Sequence, residues 1–451
     1  MIDHSDIRAR AEEWSLREDV VEKDYVLGWV LWAIGSDPRL RDGWVFKGGT
    51  CLKKCYLDTF RFSEDLDFTV TDSSLSEPEV VEIALGDLLQ RASAESGIDF
   101  SVREPRLRTR RNGSLEGRVY YRGPRRARTP ASVRIDLTPA EVVARPPVLR
   151  PIRHLYPDEL PEPGTVRCYS LEEVFAEKLR AMGERGRPRD LYDVIFLFRN
   201  PGLERQPAVI LEVLEDKCRS KQVAVPTLES ISKSTTLAEL ESEWENMLAH
   251  QVPRLAPLDH YWSQLAELFD WLEGAAEPPE LARAPGTGQV VWEPSPSRWT
   301  WGSGPALETL RFAGANRLCV DLGYKGRVRR IEPYSLRTTR DGHLLLHSVR
   351  VDSRQHRSYR VDRIQSIEVT TQAFKPVYLV EFTTGGPIAA PRQRRAQTSR
   401  GSWGATSADR PYRVECPYCG KRFPRTRPST GLNRHKTPDG YPCPARSGYL
   451  V

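Results

Sequence analysis

Apolar residues in the first 275 positions change their spacing several times, and each change marks an element. From about Arg17 to Ile34, Val20, Val21, Tyr25, Val26, Trp29, Val30, Trp32 and Ala33 form a broad stripe at helical spacing, so residues 1–43 read as helices. Trp44-Val45-Phe46 is then a short β-prone run, broken by Gly48-Gly49-Thr50. Asp65-Leu66-Asp67-Phe68-Thr69-Val70 alternates with period two. That alternation sends Leu66, Phe68 and Val70 to a core and sets Asp65 and Asp67 side by side on the opposite face. Helical spacing returns from Glu77 to Ser96, with Val80, Ile83, Ala84, Leu88 and Leu89 as the expected apolar side. Turn signals at Asn112-Gly113 and Gly123-Pro124 bracket β signals around Val119-Tyr120-Tyr121. Ser132 to Leu137 alternates again, with Val133, Ile135 and Leu137 inward and Arg134 and Asp136 on the other face. Ser170 with Glu173 reads as a capping box for a helix burying Leu171, Val174, Phe175, Leu179 and Met182, with Gly183 as its stop. From Ile195 to about Gly274 the pattern is helical throughout and predicts a lobe closing a cleft.

The composition changes beyond this point. Glu273 to Pro305 is rich in Pro, Gly, Ala and Ser and reads as a linker. Four strands are expected after it, at Leu318–Leu322, Leu344–Val349, Tyr359–Val361 and Val377–Glu381. Gly385 to Arg410 is linker-like again, made basic by Arg392, Arg394, Arg395 and Arg400. The predicted organisation is therefore 1–275, a linker at 276–305, a small β domain at 306–385, a basic linker at 386–412 and a terminal module at 413–451.

Charge adds a partner to this picture. The net charge of +6 is modest for 451 residues, but ten arginines crowd the segment from Arg103 to Arg128 and a second basic concentration follows Pro391. Such runs suit solvated loops, and beside a phosphate-handling motif they also suit a nucleic-acid partner. No apolar run approaches bilayer-spanning length and the N-terminus lacks a signal-peptide core, so a cytoplasmic protein with no membrane partner is expected. Five of the eight cysteines are scattered, which fits a reducing compartment.

Two features carry chemistry. Paired glycines before a helix start let a backbone approach a phosphate and offer it unpaired N–H groups. Two carboxylates sharing a strand face need a counter-ion or a raised pKa, and Mg²⁺, held by one or two carboxylates plus substrate phosphates, meets that need. Near the C-terminus, Cys416, Cys419, His435 and Cys443 form a four-ligand set of the right types for structural Zn²⁺. A tail this short buries little apolar surface unaided. Phe423 and Leu432 are its expected small core, and Arg413, Lys421, Arg422, Arg425, Arg427, Arg434 and Lys436 surround it with positive charge.

The segment FKGGTCLKKCYLDTFRFSEDLDF, residues 46–68, resembles the nucleotidyltransferase toxins of the AbiEii/MenT group, within the DNA polymerase β-like superfamily. It shares GGT-x-L followed by R-x-S-E-D-x-D. Glu22-Lys23-Asp24-Tyr25-Val26 matches another element of that group, while also suiting a charged outer face with one buried aromatic. A further signature is met by Glu177-Lys178-Leu179-Arg180-Ala181 and then Arg187-Pro188-Arg189-Asp190-Leu191-Tyr192-Asp193. The resemblance implies an α+β fold: a polymerase β-like core with a helical lobe. It implies Lys47, Gly48, Gly49, Thr50, Arg61, Ser63 and Lys178 at a nucleoside triphosphate, and Asp65 and Asp67 on Mg²⁺. Asp136 would be the third carboxylate, and Asp190 a further catalytic residue. Asp190 equally suits an N-cap with Asp193 at the N3 position. Residues 306–385 resemble the WYL domain, a small SH3/Sm-like β barrel, through Tyr324, Arg330-Ile331-Glu332-Pro333, Leu336 and Tyr359–Ile364. Leu344-Leu345-Leu346 stands where the name-giving triplet would be. The tail is read as a C2HC zinc finger.

The implied function is Mg²⁺-dependent transfer of NMP from an NTP to an RNA acceptor, tRNA favoured, by a toxin with a possible cognate antitoxin. The rivals are a non-catalytic nucleic-acid-binding regulator and a transferase acting on protein or a small molecule.

Overall fold

The computed structural model describes residues 2–57, 60–139, 141–199, 206–234, 237–275, 280–292 and 306–382. Toward the C-terminus it describes 412–417, 419–425, 430–433, 435, 437, 443, 445 and 447–450. The chain divides into two compact units, residues 1–391 and 392–451. The strong basic linker expected at 386–412, with Arg392, Arg394, Arg395 and Arg400, lies outside the described residues up to 411, as do Arg427, Arg434 and Lys436.

The first unit is built on a seven-stranded mixed sheet. Its strands are β1 (Trp44–Lys47), β2 (Asp65–Val70), β3 (Arg106–Thr109), β4 (Leu115–Tyr121), β5 (Ala131–Pro139), β6 (Val148–Pro151) and β7 (Thr165–Cys168), in the order β3-β4-β5-β2-β1-β7-β6. β2 runs parallel to β5 and β1 to β7, and the other pairs are antiparallel. Residues paired across a ladder point to the same face. Lys47, Asp67, Asp136, Glu116 and Arg108 therefore form one row. Asp65, Arg134, Arg118 and Arg106 form the next. Leu66, Phe68, Val133, Ile135 and Leu137 fill the opposite, fully buried face. The helix Glu18–Ser36 is buried nearly all round, and Glu22 and Asp24 are buried with it rather than on a charged outer face, because the Arg125 N–H at 2.8 Å and Lys54 at 2.7 Å pair with their carboxylates.

Three local expectations change. In the helix Pro78–Ser96 the buried line is Val81, Ala84, Leu85, Leu88, Leu89 and Ala92, while Val80 and Ile83 are 43% and 69% exposed. Adjacent valines fit either phase of a 3.6-residue period, and packing selects the second. In the helix Leu171–Arg185, Ser170 Oγ accepts from the Glu173 N–H at 3.2 Å, but the reciprocal half of the capping box is missing. The Glu173 carboxylate instead accepts from the Ala144 and Arg145 N–H groups at 2.9 and 3.0 Å and pairs with Lys217 at 2.7 Å. Gly183 does not stop this helix: a Cβ there would lie 2.5 Å from Pro226, so its smallness serves packing, and Gly186 is the left-handed cap.

Short helices follow, at Pro188–Arg199, Pro207–Lys221, Leu228–Ser234, Leu237–Leu248, Asp259–Trp262 and Leu265–Leu272. A second sheet comprises β8 (Val290–Val291), β9 (Leu318–Tyr324), β10 (Arg327–Thr338), β11 (Leu344–Arg350), β12 (His356–Arg360) and β13 (Ile364–Ala373). Its path is β12-β11-β10-β9-β13, with β8 on β10. Among the described residues no pairing joins β12 to β13, so the sheet is not a closed barrel there. The strand expected at 377–381 is absent. The segment's N–H groups pair with no single strand: those of Val377, Leu379 and Glu381 go separately to Tyr334 Oη, Ala282 O and Tyr334 O. The run at 359–361 divides, with β12 ending at Arg360 and Val361 opening a 3₁₀ turn. The hydrophobic core extends from Ile2 to Phe382 as one cluster. Polar pins accompany it, such as Tyr192 Oη to Asn316 Oδ1 at 2.7 Å and Arg254 Nε to the Val369 carbonyl at 3.1 Å.

The second unit carries β14 (Tyr412–Glu415), β15 (Arg422–Arg425) and β16 (Tyr449–Leu450), in the order β15-β14-β16. Val414, Leu432, Cys416 and Cys443 form its core, with Phe423 against them. Its described residues include no helix, so the ββα layout of a C2H2-type finger is not seen. No helix among the described residues of the chain is long and apolar enough to cross a membrane.

Candidate active site

β1 delivers the chain into Gly48-Gly49-Thr50-Cys51, a single helical turn that continues as a wider turn over Leu52–Tyr56. Gly48 has φ +81°, and a Cβ on it would lie 2.4 Å from Asp67 Oδ2. Only glycine fits there, by conformation and by contact. A Cβ at Gly49 would meet Arg61 Nη2 at 2.8 Å and Ser63 Oγ at 3.3 Å. Thr50 Oγ1 donates to the Asp65 carbonyl. The glycine turn is thus fastened to the start of β2.

Asp67 is pressed between β1 and β5. Burial pushes its carboxyl up to about 6; Lys47 opposes the shift, and Asp136 and Asp65 add to it. Burial also raises Asp65, against Arg134 and with Asp136. Asp136 is ion-paired to Arg134 at 3.0 Å and Arg110 at 3.3 Å. Neither Asp65 nor Asp67 is ion-paired among the described residues. Asp65, Asp67 and Asp136 line one cavity and offer it the oxygen donors that hard divalent cations take, though their oxygens are not drawn together as closely as the ligand atoms of the C-terminal cysteine–histidine set.

Cations face them from the helices. Lys178 Nζ is 2.8 Å from Asp193 Oδ2. Arg61 Nε and Nη2 donate to the same carboxylate, both at 2.7 Å. Burial opposes ionisation of Asp193, but Arg61 and Lys178 outweigh it and hold the carboxyl below its usual range. Arg61 also donates to Gln251 Oε1 at 2.9 Å. Arg61 thus lines the cavity beside Gly49, Ser63 and Asp65 while Asp193 and Gln251 hold its guanidinium in place. Asp190 is fully buried and held by Arg185 at 2.8 and 2.9 Å. It is not an N-cap, because Pro188 starts that helix two residues earlier.

Lys47 pairs with Glu141, which sequence reading did not single out. Burial would raise Glu141, yet Lys47, with Lys221 and Lys217 behind it, holds the carboxyl down to about 2. Glu141 stands in no recognisable motif and reaches Lys47 only through the fold. Arg110, Arg134 and Glu116 were likewise missed as site residues, although the arginine-rich segment signalled the first of them.

Two cavities of about 420 Å³ share Asp67 and Asp136 in their walls. Gly49, Lys178 and Arg185 line both. One adds Lys47, Gly48 and Arg110; the other adds Arg61, Ser63, Asp65, Arg187, Arg189 and Asp190. A larger cavity of about 780 Å³ lies elsewhere in the first unit, and its lining has no lysine to meet a triphosphate.

In the second unit, ligand atoms of Cys416, Cys419, His435 and Cys443 all lie within 4.8 Å of one another. Cys416 Sγ is 3.6 Å from Cys443 Sγ, and Cys419 Sγ is 3.3 Å from His435 Nε2. A zinc tetrahedron with bonds of about 2.3 Å to sulfur has edges of roughly 3.7 Å, so the set fits. His435 Nδ1 lies 2.9 Å from the Asn433 carbonyl. Donating its proton there leaves the Nε2 lone pair for the metal.

A family profile described as "Nucleotidyl transferase AbiEii toxin, Type IV TA system" matches residues 29–272, and one described as "WYL domain" matches residues 305–369. Among solved structures the chain is similar to MenT4, a nucleotidyltransferase toxin from Mycobacterium tuberculosis. Identity is 21% over 60% of this chain and 87% of that one, with a TM-score of 0.41. It is also similar to the proteasome accessory factor PafBC of Arthrobacter aurescens, at 14% identity over 45% and 32%, with a TM-score of 0.15. No curated protein sequence matches it.

Proposed function

The chain belongs to the AbiEii family of nucleotidyl transferase toxins, and from that premise we propose that it transfers NMP from an NTP to the 3′-hydroxyl of an RNA, tRNA being the favoured acceptor. Family membership sets aside the non-catalytic regulator. The observation that carries the reading is the meeting of Asp65, Asp67, Asp136, the Gly48-Gly49 turn and Lys178 around one split cleft.

The acceptor oxygen attacks the α-phosphorus, the bond from that phosphorus to the α,β-bridging oxygen breaks, pyrophosphate leaves with that oxygen, and the hydroxyl proton passes to a carboxylate. Asp65, Asp67 and Asp136 are the residues to hold Mg²⁺, which when bound supplies charge neutralisation at the phosphates. Lys47, Gly48, Gly49, Thr50, Arg61 and Ser63 shape the triphosphate's seat. Lys178 and the arginines at 185, 187 and 189 present the fixed positive wall that positions and stabilises a transferring phosphoryl group. Asp190 keeps Arg185 in that wall. Asp136 is the proton acceptor, with Arg134 and Arg110 orienting it. The WYL segment and the zinc unit serve as recognition modules. A cognate antitoxin would act in the same cytoplasmic setting.

Incubation with each α-labelled NTP and total RNA tests the proposal. Expected is Mg²⁺-dependent labelling of RNA by one preferred nucleotide. Label entering protein instead, with none in RNA, would overturn the acceptor assignment.

A further inference from the structure

Resting on the reading of RNA as acceptor, we propose that the solvent face of β3-β4-β5 is the track along which the acceptor's single-stranded 3′ end reaches the carboxylates. Asp65, Arg134, Arg118 and Arg106 stand in one cross-strand row and therefore on one face. Three strand spacings of about 4.8 Å carry that row roughly 14 Å from Asp65 to Arg106, longer than a single nucleotide step. Arg118 and Arg106 are exposed. The intervening carboxylate on this face, Glu116, is occupied by Arg110 at 2.7 Å and Arg134 at 3.1 Å, so it does not cancel the outer arginines.

An aromatic group completes the surface. Tyr120 lies two residues from Arg118 on β4, hence on the same face, and is half-buried. The Arg103 guanidinium sits 4.5 Å from its ring centroid. A positive groove that tracks a backbone, with an aromatic ring for bases to stack on, is the arrangement that holds single strands without reading their sequence. The arginine-rich segment thus gains a role that neither metal binding nor NTP binding explains.

The test measures binding of a single-stranded RNA to the full chain across a salt series. The double variant R106E/R118E should bind at least about tenfold more weakly, and its salt slope should fall by about 1.4, the contribution of two phosphate contacts on a single strand. The charge-matched double variant R219E/K233E, on exposed helices of the other lobe, should bind as wild type does. Tyr120→Ala should weaken binding about fivefold or more with the slope unchanged, because stacking releases no counterions. R106Q/R118Q repeats the test should the charge reversals melt early. NTP affinity is measured in parallel and should not move. If wild type labels RNA and R106E/R118E binds it no worse than R219E/K233E, the track is wrong and the acceptor reading survives. If wild type does not bind RNA at all, both fall.

Discussion

At Asp67, burial and two neighbouring carboxylates oppose ionisation while Lys47 favours it, and the outcome is a carboxyl titrating at about 6. Its unfolded value is about 3.9. A carboxyl raised on folding stabilises the native state at low pH, and that advantage is lost as pH rises through the folded value. Asn cannot titrate. Asp67→Asn should therefore melt at or above wild type at pH 7.5, with the gap closing as the pH falls from about 6 toward about 4. Transfer of labelled NMP by the same variant should drop roughly a thousandfold or more, the share expected of a lost cation site. Asp72→Asn is the control, since Asp72 only caps the exposed turn at Ser74. Full activity in a folded Asp67→Asn protein would remove the metal-site reading.

At the scale of elements, the same residue types act differently according to what covers them. In the helix Pro78–Ser96, Val81 is fully buried and Ile83 is 69% exposed. Val81→Ala should cost about 1–3 kcal/mol in denaturant unfolding, from lost burial plus a cavity, whereas Ile83→Ala should stay within about 0.5 kcal/mol. Equal costs would mean the helix is turned the other way. Among its described residues the terminal sheet has only a small core, built of Val414, Leu432 and two of the clustered cysteines. Purified protein should carry about one equivalent of zinc, lost in Cys416→Ser or Cys443→Ser, while the first unit's melting transition is unchanged. Freshly purified wild type free of zinc by elemental analysis would sink that assignment.

Across the whole molecule, the first unit's core does not pause at residue 275. The helix Ala306–Ala315 contributes Leu307, Leu310, Phe312 and Ala313 to the same cluster as Trp14 and Tyr192, and Asn316 accepts the Tyr192 hydroxyl. A chain cut after residue 391 should keep the unfolding transition of the first unit. One cut after residue 275 should melt at least several degrees lower or fail to stay in solution, because it exposes those apolar faces and orphans Tyr192. Matching melts for the two truncations would show the second sheet to be a separate body.

Much of the site was legible because its signals are local. The glycine pair, the period-two alternation placing Asp65 and Asp67 together, and the Cys-Cys-His-Cys spacing each follow from backbone geometry over a few residues; the first two sit in the segment that pointed to the family, and the third marked the cysteine–histidine cluster. Packing decided what local pattern leaves open: which phase of the Pro78–Ser96 stripe is buried, that Glu173 leaves its capping box for Ala144 and Lys217, and that Gly183 is a contact for Pro226. Long-range pairing decided the rest. Asp67 lies beside Asp136 only because β2 and β5 run parallel in register, Lys47 meets Glu141 94 residues away, and Arg61 turns inward because Asp193, 132 residues on, is buried beside it. A charge in the interior is tolerated only with a partner, and partners brought from such distances are chosen by the tertiary fold.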